Sequence, residues 1–86
     1  MGRMLNSEGF RGMVKTVLDF LIAGNEVDAM YAAHSWDELN VRNKISVLRE
    51  KGWNILDREA DVEKGTPYKI YWLDLENPRK DDADEQ

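Results

Sequence analysis

The chain has 86 residues, a formal net charge of −5 and no cysteine, which excludes disulfides, zinc-finger ligation and a thiol nucleophile. That length allows one domain with a single modest core, burying roughly 60 to 65% of the unfolded surface, and 42% apolar with 34% charged residues is the composition of a folded chain. The longest apolar run, 17–23, is interrupted by Asp19 and falls short of the ~20 residues of a membrane span, and the first residues lack the basic-then-apolar plan of a signal peptide, so a cytoplasmic protein is expected.

Residues 1–9 read as a flexible arm, because Asn6-Ser7-Glu8-Gly9 breaks any period and Gly2 and Gly9 disfavour helix. Met4 and Leu5 are its apolar residues and could dock on the body. From Phe10 onward, Met13, Val14, Val17, Leu18 and Leu21 recur at three- and four-residue spacing, which predicts an amphipathic helix over 10–23 stopped by Gly24. Asn25 is positioned to cap a short second helix over 26–33, with acids in its first turn and Val27, Met30 and Tyr31 as its apolar stripe. His34 and Ser35 then make the connection. The single histidine stands beside two carboxylates without metal-ligand spacing, so neither a metal site nor a cofactor is expected.

Ser35 and Glu38 fit a capping box for a third helix, running to Lys51 and ending at Gly52. Val41, Ile45 and Leu48 give it a core face. Asn40, Asn43, Val47 and Glu50 fall roughly opposite, flanked by Arg42 and Arg49 on one side and Lys44 and Lys51 on the other. Two β-prone runs, 53–62 and 68–75, are joined by a glycine-containing loop and predict a hairpin whose register is left open. In the second strand Tyr71, Leu73 and Leu75 point one way and Tyr68, Ile70 and Trp72 the other. Residues 79–86, with two cations and four anions, read as a disordered acidic tail. The expected fold is therefore α+β, three helices followed by a two-stranded hairpin, in one domain over 10–78.

The segment Asn43-Lys44-Ile45-Ser46-Val47-Leu48-Arg49-Glu50-Lys51-Gly52-Trp53-Asn54-Ile55 resembles the stretch that marks a group of small winged helix-turn-helix DNA-binding domains common in phages and prophages. In that group a cation precedes isoleucine, a Leu-Arg pair follows, and a charged-charged-Gly-aromatic-Asn/Asp-Ile turn leads into the wing. Lys44, Ile45, Leu48, Arg49, Gly52, Trp53, Asn54 and Ile55 occupy those places, and Tyr71-Trp72-Leu73 matches the closing aromatic-x-Leu pattern. The resemblance covers residues 10–75. It implies a winged three-helix bundle acting as a sequence-specific regulator, with helix 3 in the major groove and the hairpin on the backbone. Asn40, Arg42, Asn43 and Lys44 would then lie near double-stranded DNA, with Lys64 at the wing tip. Asn suits adenine and Arg and Lys suit phosphate.

Two features point elsewhere. Tyr68, Ile70 and Trp72 form an outward apolar face that would take a partner, either a second copy in a homodimer or a host protein. Asp57, Glu59, Asp61 and Glu63 alternate along the first strand, making the wing acidic where the winged domains it resembles usually offer cations, and Asp37 and Glu38 crowd the start of helix 3. A row of carboxylates can imitate phosphates toward a basic surface, which makes an acidic protein-binding inhibitor on the same scaffold, of the phage anti-host or anti-CRISPR type, the alternative. No Walker loop, GxSxG, HExxH or dinucleotide-binding turn occurs, so neither an enzyme nor a small-molecule substrate is expected.

Overall fold

A computed structural model describes residues 5–60 and 68–80. The elements run α1 (Gly12–Ile22), β1 (Val27–Asp28), α2 (Ala29–Trp36), α3 (Val41–Glu50), β2 (Ile55–Glu59) and β3 (Lys69–Leu73). The result is an α+β domain of three helices and a three-stranded antiparallel sheet in the order β1-β3-β2.

The glycine stops read from the sequence are helix ends of one defined type. At α1 the Gly24 N–H donates to the Leu21 carbonyl and the Asn25 N–H to that of Phe20, with Gly24 at φ +96°. At α3 the Gly52 N–H donates to Arg49 and the Trp53 N–H to Leu48, with Gly52 also at φ +96°. Both are Schellman motifs, which satisfy otherwise orphaned carbonyls and need a left-handed residue just past the helix. The apolar contact that often accompanies the motif is available at α3, where Leu48 and Trp53 are both buried.

The second helix departs from expectation. Val27 and Asp28 are a strand rather than a helical first turn, pairing with Tyr71 and Ile70 of β3. The physical reason is burial: Val27 is 1% exposed and joins the core beside Tyr71, a position that a solvent-facing first helical turn would not give it. The sheet therefore has three strands instead of two. The cap moves with it, since the Asp28 carboxylate accepts the Tyr31 N–H at 2.8 Å, while Asn25 donates its side-chain amide to the Phe20 carbonyl. Helix α2 then continues through His34 and Ser35 to Trp36, so the expected capping box at Ser35 does not form. Glu38 instead accepts the Asn40 N–H at 2.6 Å and pairs with Lys44 at 3.4 Å, and α3 begins only at Val41.

One core joins all elements: Val17, Leu18 and Leu21 of α1, Ala32 of α2, Val41, Ile45 and Leu48 of α3, and Val27, Ile55, Tyr71 and Leu73 of the sheet. The parity of β3 is as read, with Tyr71 and Leu73 buried, and the hairpin register is set by Ile55 opposite Leu73 and Asp57 opposite Tyr71. Leu75 lies beyond the strand and is exposed. A second, smaller cluster fastens α2 to α1: Phe20 stacks on Tyr31 at 4.9 Å between centroids, and Trp36 meets both edge-on at 5.1 and 5.4 Å. Aromatic pairs at such spacing add to simple burial.

Contacts of the body extend beyond 10–78 on both sides. Ser7 is buried and its hydroxyl donates to the Asp19 carboxylate, and Leu5 packs on the core. Arg79 bridges Trp53 and lays its guanidinium 4.6 Å from the centre of that indole, and the Lys80 N–H donates to the Gly52 carbonyl. The Trp53 ring is buried, and its Nε1 finds no acceptor among the described residues. Met4, the hairpin tip with Asp61, Glu63 and Lys64, and the acidic tail from Asp81 onward lie outside the described residues.

Candidate nucleic-acid interface

Four residues, 37–40, connect α2 to α3. The reversal is made by Asp37 at φ +55°, a left-handed conformation that short polar side chains tolerate better than most, and the Asp37 and Glu38 N–H groups close the end of α2 on the Ala33 and Ala32 carbonyls. Because Val41, Ile45 and Leu48 fill the core, Arg42, Asn43, Ser46 and Glu50 stand in solvent along the opposite side of α3.

Beside this helix face runs a shallow cleft between α3 and the sheet, of about 170 Å³, lined by Arg42, Ser46, Arg49, Asp57, Lys69 and Tyr71. Three cations and one carboxylate meet there, a local excess of positive charge on a negative chain. Arg49 is fixed in place. Its Nε and Nη2 donate to the Ile55 carbonyl at 3.0 and 2.7 Å, and Nη2 also reaches the Asp57 carboxylate at 2.8 Å. Lys69 approaches the other oxygen of Asp57 at 3.4 Å. The Arg49 hydrogen bond, supported by Lys69, holds the Asp57 carboxyl below the usual carboxylate range despite the opposing effect of desolvation.

The residues expected at DNA are divided by the structure. Asn40, Arg42 and Asn43 are exposed within one turn of chain. Arg42 has no ion pair among the described residues, and Asn40, at the N-cap position of α3, makes no side-chain capping bond. Lys44 is half-buried and engaged by Glu38, so it is not a free cation on this face. Lys64 lies outside the described residues. Of the apolar trio expected at a partner interface, Tyr68 is exposed, whereas Ile70 and Trp72 are half-buried on the outer sheet face.

Tyr68 belongs instead to a trough at the other end of α3, where two adjoining hollows share Ala29, Leu39 and Tyr68. One hollow is apolar, with Met30, Ala33 and His34 of α2; the other carries Asn40, Arg42 and Lys69. Leu39 is 85% and Met30 69% exposed. Sequence reasoning passed over Leu39, because a helix capped at Ser35 places it inside the helix; it becomes the residue ahead of the N-cap only because α3 begins at Val41.

Among the described residues no helix is long and apolar enough to cross a membrane. The chain matches no family model, no curated protein and no solved structure.

Proposed function

We propose that the protein is a cytoplasmic winged helix-turn-helix regulator of phage or prophage type that binds double-stranded DNA, with α3 in the major groove and the β2–β3 hairpin against the backbone. Support comes from the four-residue turn between α2 and α3, which has the length such motifs use, and from the hairpin that follows α3 directly. The observation that carries the reading is the solvent face of α3. Arg42, Asn43 and Ser46 are side chains suited to base edges and phosphates, and they stand exposed side by side on a chain that is otherwise acidic.

For the acidic-inhibitor alternative, Asp57, the first of its row, is held by Arg49 and Lys69, which leaves Glu59 as the exposed carboxylate of the row among the described residues. DNA binding is preferred on the exposed Arg42 and Asn43 of α3. The test is a gel-shift of the purified protein with random duplexes and with its own upstream region, across a salt titration. Specific binding that weakens as salt rises, as counterion release requires, is expected. Asn43→Ala should cost the specific complex about 1 to 3 kcal/mol. No shift at low salt would refute the reading.

A further inference from the structure

The cleft between α3 and the sheet holds one carboxylate among three cations, and that carboxylate is placed as a bound anion would be. Asp57 sets one oxygen against Arg49 Nη2 at 2.8 Å and the other against Lys69 Nζ at 3.4 Å. Lys69 stands opposite Glu59 in the hairpin register, yet its ammonium reaches diagonally to Asp57. Arg42, the third cation of the cleft, has no ion pair among the described residues.

The fold does not need this carboxylate to position Arg49. Nε and Nη2 of Arg49 both donate to the Ile55 carbonyl, at 3.0 and 2.7 Å, which fixes the guanidinium without Asp57. The pair with Lys69 is open to solvent on the lysine side, and such surface pairs contribute little to stability. What the carboxylate changes is charge: it compensates Arg49 and engages Lys69, so that Arg42 alone stays open. Arg42 and Ser46 belong both to the cleft and to the solvent face of α3, so a duplex on that face brings its phosphates to the mouth of the cleft. A phosphate arriving there meets donors already held by Asp57.

We infer that Asp57 is an internal competitor of nucleic-acid phosphate, a carboxylate that fills the anion position of the cleft and thereby limits the affinity of the chain for DNA; this rests on the DNA-binding reading above.

The experiment uses the full chain and a random-sequence duplex, with affinity measured across a salt titration. Each cation that newly neutralises a phosphate steepens the plot of log affinity against log salt by about 0.9. Asp57→Asn keeps an oxygen for Arg49 and removes the negative charge, so it should bind more tightly at low salt, with a slope steeper than wild type by about 1. Asp57→Ser should shift the slope in the same direction, and circular dichroism checks the fold of each variant. Glu76→Gln removes an equal charge from an exposed acid that does not line the cleft, and its slope should equal wild type. If the slopes of Asp57→Asn and Glu76→Gln coincide, the assignment of Asp57 is overturned while the DNA reading stands. Binding by the Asp57 variants with none by wild type would support the competitor and refute DNA binding by the native chain. If neither wild type nor variants bind a duplex at any salt concentration, both fall.

Discussion

The two ends of α3 are built on opposite principles. At the C-terminal end every local device is in use: Gly52 takes the left-handed turn, Trp53 and Leu48 are buried side by side, Arg49 is tied to Ile55 and Asp57, and Arg79 covers the Trp53 ring. At the N-terminal end Asn40 does not cap, Leu39 does not staple, and Arg42 has no ion partner among the described residues. One helix thus has an end that holds the fold together and an end left available for something outside it. Side chains already committed within the protein cannot make bonds to a ligand, so the N-terminal end is the one that the proposed function draws on.

That contrast can be broken most forcefully at Leu48. Leu48→Ala should lower unfolding free energy in a urea titration by about 2 to 5 kcal/mol, the range for a fully buried leucine, since Leu48 is 0% exposed. Loss of less than 1 kcal/mol would mean that the C-terminal end is not the anchor described. Gly52→Ala should cost about 1 to 2 kcal/mol, because a side chain is strained at φ +96°. An unchanged urea midpoint would show that the turn relaxes.

The ion pairs beside α3 make the next test. Asp57 and Asp19 both have lowered pKa values, Asp57 through Arg49 and then Lys69, Asp19 through the Ser7 hydroxyl and then Lys15. Their folded values lie below those of the unfolded chain. Each contribution is therefore fully present above the ordinary carboxylate value of about 3.9 and is lost as pH falls through the folded value. Stability at neutral pH should be flat and should decline on acidification below about pH 4, and Asp57→Asn should reduce that decline. An identical pH profile for the variant would remove Asp57 from the account.

The smallest effect belongs to the other end. Asn40→Ala should change stability by no more than about 0.5 kcal/mol, where a capping asparagine would cost about 1 kcal/mol. A full capping loss would place Asn40 in the fold and withdraw it from the ligand.

What the sequence by itself determined is what depends on neighbours along the chain. The stops at Gly24 and Gly52, the core stripe Val41-Ile45-Leu48 and the inward parity of Tyr71 and Leu73 all follow from helix and strand periods and from glycine's backbone freedom. The tertiary structure decided the rest. Val27 became a strand because Tyr71, far along the chain, was there to pair with it, and the α2 cap passed from Asn25 to Asp28 in consequence. Glu38 left a capping box to meet Lys44 and the Asn40 N–H, which took Lys44 off the candidate interface and delayed α3 to Val41. The bareness of Leu39 was decided in the same way, since an apolar side chain is buried or exposed according to which surfaces the fold brings near it, and this fold brings none that covers it.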